Sequence, residues 1–115
     1  MKKKWDIQEQ WLTVIGFLVL GTTGFNYETM TITADILSQT EQYFKNILGV
    51  LEQAGSSMSK VVRITYIVPV ASEFEECWPV LKKYLGDVRP AATIFSAALS
   101  DARMKIEIQV TALNK

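Results

Sequence analysis

The spacing of hydrophobic positions changes along the chain, and each change predicts a different element. Two short runs rich in β-forming residues, Trp11–Val14 and Phe17–Leu20, flank Ile15-Gly16 and predict a hairpin. Gly21-Thr22-Thr23-Gly24 then interrupts the hydrophobic run. From about Thr33 to Ala54 the apolar residues recur every three or four positions, which is typical of an amphipathic helix.

This predicted first helix has recognisable ends and a stripe wide enough to cover a sheet. Thr33 or Asp35 can cap its start, and Gly55 follows where a left-handed stop is favoured. Gly49 lies inside it, where glycine costs about 1 kcal/mol relative to alanine, and a close approach of helix and sheet would explain the glycine. The stripe comprises Ile36, Thr40, Tyr43, Phe44, Ile47, Leu48 and Leu51.

The clearest strand runs from Val61 to Val68 and is ended by Pro69. Strict alternation predicts one face made of Val62, Ile64, Tyr66 and Val68, and another made of Val61, Arg63, Thr65 and Ile67.

A second helix is predicted after this strand. Ser72 to Glu75 has the pattern of a capping box, with Ser72 as the N-cap. Pro79 falls inside the helix and predicts a kink or an irregular first turn, and Gly86 ends it. The predicted buried stripe is Phe74, Trp78, Leu81 and Leu85.

The last two predicted strands, about Ala92–Leu99 and Met104–Leu113, read as a second hairpin. The order is therefore hairpin, helix, strand, helix, hairpin, which predicts an α+β sandwich with both helices on one face of the sheet. The other face would be open and would carry apolar residues among polar ones: Ile67 and Ile94 with Arg63, Thr65, Ser96 and Glu107. Such a face predicts an oligomer, unless the apolar residues are scattered singly on a monomer.

Composition narrows the function classes. The 115 residues predict one domain, residues 1–115, and the zero net charge gives no reason to expect nucleic acid as a partner. The chain has no histidine, which removes the commonest general base and the commonest zinc ligand, and we expect no metal and no cofactor. The single cysteine, Cys77, has apolar neighbours in the sequence and is predicted to be a thiol packed in the core.

The apolar run from Trp11 to Leu20 is too short to span a membrane, and it lacks the small-residue cleavage site of a signal peptide. We therefore expect no membrane association and a cytoplasmic protein. The basic cluster Lys2-Lys3-Lys4 reads as a solvated tail.

Several motifs occur in an order and spacing that resemble the Rid (YjgF-like) family of reactive-intermediate imine deaminases, over nearly the whole chain. They are Gln39-Thr40, Asn46-Ile47, Leu51–Ser57, Val61–Val68, Phe74, Arg89-Pro90-Ala91 and Ile106-Glu107-Ile108. The resemblance implies a homotrimer with a ferredoxin-like, chorismate-mutase-like fold and small-molecule clefts between subunits. It also implies hydrolysis of imines or enamines, released by pyridoxal-phosphate enzymes, to a keto acid and ammonia.

The resemblance assigns roles to particular positions. Glu107 stands at the glutamate that positions water, and Gly21 at a backbone position that helps to hold the ligand. Ala92 stands where family enzymes carry an arginine that grips the substrate carboxylate. Ile94 completes the predicted ligand-binding set. The tyrosine that family enzymes carry near the N-terminus has no counterpart in Trp5–Gln10.

Another arginine can take the place of the missing clamp. Arg63 is the first candidate, because it is predicted to share a sheet face with Glu107, and the two can also pair with each other. Arg89 and Arg103 are further candidates, and for all three the alternative is a surface ion pair or a solvated side chain.

Three functions remain open at this point. The first is a trimeric protein that binds a small metabolite and hydrolyses an imine or enamine with Glu107. The second is a non-catalytic binding or interaction module that retained the trimer. The third is endoribonuclease activity, against which the absence of histidine and of a basic stripe both argue.

Overall fold

A single mixed sheet organises the part of the chain that the computed structural model describes, residues 11–14, 17–21, 25–26 and 28–113. Its five strands lie in the spatial order β1-β2-β5-β3-β4. The strands are β1 (Trp11–Val14), β2 (Phe17–Gly21), β3 (Val61–Ile67), β4 (Ala91–Phe95) and β5 (Glu107–Leu113). Helices α1 (Ile36–Gln53) and α2 (Trp78–Leu85) cover one face, so the predicted α+β class is confirmed.

The N-terminal hairpin is confirmed as two antiparallel strands, with Trp11 opposite Leu20 and Val14 opposite Phe17. β2 continues one residue further than predicted, and Gly21 pairs with Gln109 of β5. The predicted turn at Ile15-Gly16, the break at 22–24 and the basic cluster at 2–4 lie outside the described residues.

The prediction that the last two strands form a hairpin is wrong, because β3 lies between them. β5 pairs antiparallel with β3, with Glu107 opposite Ile67, whereas β4 pairs parallel with the other edge of β3. The reason is connectivity: β3, α2 and β4 form a crossover unit, which returns the chain parallel to its starting strand. β4 is also shorter than predicted, and residues 96–106 connect it to β5.

Helix α1 begins and ends as the sequence predicts. The carboxylate of Asp35 accepts a hydrogen bond from the Ser38 N–H at 2.9 Å, which lowers the pKa of Asp35. Gly55 adopts a left-handed φ of 76° beyond the last turn. The explanation offered for Gly49 is wrong, because this glycine is exposed and a Cβ there would have no neighbour within 4 Å.

The faces of β3 differ from strict alternation at the start of the strand. The pairing with β5 shifts register between Val61 and Arg63, which is the signature of a β-bulge. Val61 is therefore buried and Val62 is exposed, the reverse of the prediction. Beyond the bulge the predicted alternation holds, with Ile64 and Tyr66 buried under the helices.

The predicted second helix is divided into two segments. Residues Ala71–Cys77 form a 3₁₀ helix without a side-chain cap, so the capping box at Ser72 is not made. The α-helix then begins at Trp78, which places Pro79 in the first turn, where its missing N–H has no helical acceptor to lose. Trp78 was predicted to be buried but is 52% exposed, and Val80 is buried in the core instead.

The core lies between the helices and the covered face of β3 and β5. Its fully buried members include Phe44, Ile47, Ile64 and Ile108, and the ring of Phe44 stacks on that of Tyr84 at 4.8 Å. No helix in the described ranges has the length and apolar content needed to cross a membrane.

Candidate functional site

Glu107 begins β5 on the face of the sheet that the helices leave open. It is in register with Ile67, and its neighbour Ile108 is fully buried on the opposite face. The side chain of Glu107 is half-buried, and its Oε2 accepts a hydrogen bond from Gln109 Nε2 at 2.9 Å. A carboxylate held by a neutral amide keeps its second oxygen available to a water or a ligand.

Gly21 lies close to this glutamate. The last residue of β2 pairs with Gln109, which stands two positions after Glu107 on β5. The structure therefore brings together two of the residues that the sequence assigned to the site, and it adds Gln109 to them. Gln109 was missed, although its spacing of two from Glu107 on a strand places both side chains on one face.

Arg63 shares the open face with Glu107, as predicted, but the register separates the two residues. Arg63 lies opposite Thr111, four residues along β5 from Glu107. Four residues of a strand span roughly 13 Å, which is too far for a direct ion pair. The possibility that Arg63 pairs with Glu107 within one copy is therefore wrong, and Arg63 is exposed.

Ala92 and Ile94 lie on the other face of the sheet. They are in register with Ile64 and Tyr66, which point toward the helices, so the expectation that Ile94 belongs to the open face is wrong. Because β4 is an edge strand with no described neighbour on its outer side, Ile94 is nevertheless 47% exposed. Phe95, which does lie on the open face with Ile67, is 56% exposed.

The other two candidate cations are in different situations. Arg103 binds Asp101 through two guanidinium nitrogens, at 2.7 and 3.1 Å, which lowers the pKa of Asp101 to about 2. Its guanidinium also lies 5.2 Å from the centre of the Phe25 ring. Arg89 precedes β4 with a left-handed φ of 53° and is exposed. Arg103 is thus already engaged with an anion, whereas Arg63 and Arg89 lie open to solvent.

The segment before Glu107 is held by a buried side chain of α1. Gln39 is fully buried, and its Nε2 donates to the backbone oxygens of Thr33, at 2.7 Å, and of Arg103, at 2.8 Å. Its Oε1 accepts from the Lys105 N–H at 2.7 Å. The sequence contains a weak signal for this role, since a glutamine stands at a position where the helical period expects an apolar residue.

The fold and this site define a small α+β protein with a carboxylate at the open face of a mixed sheet. A family profile described as Endoribonuclease L-PSP matches residues 12–114. The chain is 29% identical to a RutC family protein of Aquifex aeolicus, over 90% of this chain and 86% of that protein.

Two further comparisons agree. The chain is 27% identical to a 2-iminobutanoate/2-iminopropanoate deaminase of Dermatophagoides farinae, over 77% of this chain and 70% of that protein. The crystal structure of a protein of the conserved Rid family from Yersinia pestis superposes with a TM-score of 0.84 at 28% identity, covering 90% of this chain and 85% of that one. The protein thus belongs to the L-PSP endoribonuclease family, which includes the Rid proteins, and the resemblance seen in the sequence is confirmed.

Proposed function

We propose that this protein hydrolyses small imines or enamines in clefts between the copies of a homotrimer, with Glu107 positioning the water. The observation that carries the proposal is the placement of Glu107: half-buried, on the open face, held by Gln109 and next to Gly21. The similarity to a protein named as a 2-iminobutanoate/2-iminopropanoate deaminase supports the choice of reaction.

The chemistry needs one residue that exchanges protons with water. The carboxylate of Glu107 accepts a proton as the water oxygen attacks the imine carbon, and the protonated carboxyl then returns it to the departing nitrogen. One imine and one water give one carbonyl compound and one ammonia, so no oxidant, metal or cofactor is consumed. The chain has no histidine for this role, and in the part that the structure describes Glu107 is the carboxylate that lies half-buried on the open face beside Gln109 and Gly21.

The need for a second copy follows from the positions of Ala92 and Glu107. Within one copy they point to opposite faces, so a pocket that contains both positions must take them from different copies. The exposed edge of β4 and the apolar residues Ile67 and Phe95 on the open face supply the surface for such an assembly.

The substrate class follows from the charge around the site. Ala92 supplies no cation, and Arg103 is already paired with Asp101. We therefore propose a substrate that binds without a bidentate pair between an arginine and a carboxylate. Ile94 and the backbone at Gly21 would then select it by the shape of the cleft rather than by charge. The proposal includes a cytoplasmic location, which is supported by a single, buried thiol at Cys77.

The test is hydrolysis of imines formed in situ by an amino-acid oxidase, such as 2-iminobutanoate, and of a neutral N–H imine formed in situ from a primary amine by an amine oxidase. Release of ammonia above the spontaneous rate is measured for the wild type, for Glu107→Gln and for Glu52→Gln, a matched control on the exposed side of α1. We expect Glu107→Gln to lose about 10²–10⁴-fold in rate and Glu52→Gln to match the wild type. Equal rates for Glu107→Gln and wild type would overturn the assignment.

Two alternatives keep specific support. The first is a protein that binds metabolites without turning them over, which is favoured because Ala92 stands where the carboxylate-binding arginine would be. Thermal-shift screening would then show stabilisation by ligands without release of ammonia. The description of the matching family favours endoribonuclease activity, which incubation with a labelled RNA would show as cleavage that Glu107→Gln reduces.

A further inference from the structure

Gln39 is a fully buried polar side chain whose hydrogen bonds go to backbone groups outside its own helix. Its amide makes three hydrogen bonds to backbone groups, two as donor and one as acceptor. Two of these partners, the Arg103 oxygen and the Lys105 N–H, belong to the segment that leads to Glu107. Both donors of the amide are therefore satisfied, at distances that mark well-formed bonds.

The segment that Gln39 holds has little else to fix its path. The ladder of β5 begins only at Glu107, so residues 103–106 make none of its strand pairings. Met104 and Ile106 are buried, but apolar contacts do not fix the direction of a backbone as hydrogen bonds do. Two bonds of backbone N–H groups are described within the turn, from Met104 to the Asp101 backbone oxygen at 3.0 Å and from Arg103 to the Asp101 carboxylate at 2.9 Å. Both close the turn, and neither ties it to the body of the protein.

Helix α1 also contacts the chain that follows Gly21, the other residue of the candidate site. The side chain of Arg103, whose backbone oxygen Gln39 holds, lies against the ring of Phe25. The Phe25 oxygen accepts a hydrogen bond at 2.8 Å from Asn46, two turns further along α1. Helix α1 is thus hydrogen-bonded both to the segment that precedes Glu107 and to Phe25, which follows Gly21 along the chain.

From this geometry we propose that Gln39 is a positioning residue for Glu107. It acts through the backbone of Arg103 and Lys105, and it sets where the first residue of β5 presents its carboxylate. This inference rests on the proposed function for its catalytic consequence, whereas its structural content, that Gln39 fixes Glu107, is independent of any reaction. The competing reading is that Gln39 only satisfies buried backbone groups and serves stability.

Three variants separate these readings. Gln39→Leu removes all three hydrogen bonds, and Gln39→Glu keeps the acceptor for Lys105 but removes the donors while its carboxyl is ionised. Thr40→Val is the matched control, since Thr40 is also fully buried on α1, yet its hydroxyl bonds the Ile36 oxygen of the same helix and the Cys77 thiol, not the segment before Glu107. Should Gln39→Leu not fold, Gln39→Glu carries the comparison alone.

Two measurements that do not need turnover come first. In Gln39→Leu we expect the Lys105 amide to exchange its proton at least roughly tenfold faster, with the central amides of β3 unchanged. We also expect the ¹³C chemical shift of the Glu107 carboxyl to differ from that of the wild type at the same pH. In Thr40→Val both quantities stay at the wild-type values. A Glu107 carboxyl chemical shift in Gln39→Leu identical to that in Thr40→Val would overturn the inference.

Kinetics then test the catalytic consequence. With 2-iminobutanoate as the probe, we expect Gln39→Leu to lose about 10- to 100-fold in kcat per folded protein, with a small change in KM, since a displaced catalytic group weakens the chemical step. Gln39→Glu should recover part of this loss as falling pH protonates its carboxyl and restores one donor. An unchanged kcat in Gln39→Leu would overturn the inference. A wild type that releases no ammonia would contradict only the proposed function, because the chemical shift of the Glu107 carboxyl would still decide the role of Gln39.

Discussion

Ala92 and Glu107 lie on opposite faces of the sheet and on opposite sides of β3. Ala92 is in register with Ile64 and Glu107 with Ile67, so they are three positions apart along the central strand. An odd separation along a strand reverses the direction of the side chain. A pocket that contains both positions must therefore be built from two copies of the chain, which is the relationship on which the proposed function depends.

Introducing an arginine at position 92 should convert the site to one that prefers carboxylates. A bidentate pair is charge-assisted, and hydrogen bonds to charged groups contribute about 1.5–3 kcal/mol, so KM for 2-iminobutanoate should fall about 10- to 100-fold in Ala92→Arg. The measurement is KM for this acid against KM for a neutral imine. Ala91→Arg is the control, because it adds the same charge one residue away on the other face. Equal effects of the two variants would contradict the assigned position.

The contact between Glu41 and Tyr84 should make stability depend on pH at both ends of the range. The Tyr84 hydroxyl donates to Glu41, which lowers the pKa of Glu41 below its ordinary 4.5, while burial and the neighbouring carboxylate raise the pKa of Tyr84 to about 12. The contribution of Glu41 is present above its unfolded pKa and is lost as pH falls through the folded pKa. The contribution of Tyr84 is present below its unfolded pKa and is lost as pH rises toward 12.

Urea denaturation across pH measures this dependence. We expect the difference in unfolding free energy between wild type and Glu41→Gln to be constant near neutral pH and to shrink in acid. Tyr84→Phe should remove the loss of stability at alkaline pH that belongs to this tyrosine. A difference between wild type and Glu41→Gln that does not change in acid would show that the contact is not formed in solution.

Gly49→Ala should stabilise the protein by about 1 kcal/mol, because alanine is favoured over glycine inside a helix and the added Cβ meets no atom within 4 Å. Gly55→Ala provides the contrast. Its left-handed φ of 76° disfavours any side chain, so that substitution should destabilise. Thermal unfolding of both variants is the measurement. A loss of stability in Gly49→Ala would indicate that this glycine contacts something absent from a single copy.

Cys77 should be unreactive while the protein is folded. The thiol is fully buried, its Sγ donates to the Phe74 oxygen at 3.0 Å, and burial raises its pKa, so little thiolate is available. We expect one equivalent of an aromatic disulfide reagent to react only after denaturant is added. Rapid modification of the native protein would show that the 3₁₀ helix Ala71–Cys77 opens readily.

The sequence predicted what local periodicity and capping decide. The stripe of α1 and the Asp35 cap depend on residues within one or two turns, and both are present. The parallel pairing of β4 with β3 was not predictable from two adjacent strand-like segments, because it depends on how the α2 crossover returns the chain. The bulge at Val61 and Val62 was missed for a similar reason. It is defined by the pairing of β3 with β5, and because both residues are valines, their side chains give no signal of it.

The site was predictable to the same extent. Glu107 and Gly21 were assigned to the candidate site through the resemblance, and their adjacency follows from the pairing of β2 with β5. Ile94 was placed on the wrong face because parity was counted along β4 without knowing its register against Tyr66. Gln39 could be seen only as a polar residue in an apolar stripe, since its partners at Arg103 and Lys105 lie more than sixty residues away.

The central claim, that one copy supplies Glu107 and another supplies the β4 edge, is tested most directly by mixing two inactive variants. Glu107→Gln and Ala92→Trp, which fills the cleft from the β4 side, are co-expressed with different affinity tags, and the mixed oligomers are purified through both tags. If each cleft draws on two copies, about one in three clefts of such mixed trimers contains an intact Glu107 beside an intact Ala92. The account predicts ammonia release near that fraction of the wild-type rate, measured with whichever of the two probe imines the wild type hydrolyses faster. Mixed oligomers as inactive as either parent, beside an active wild type, would contradict it.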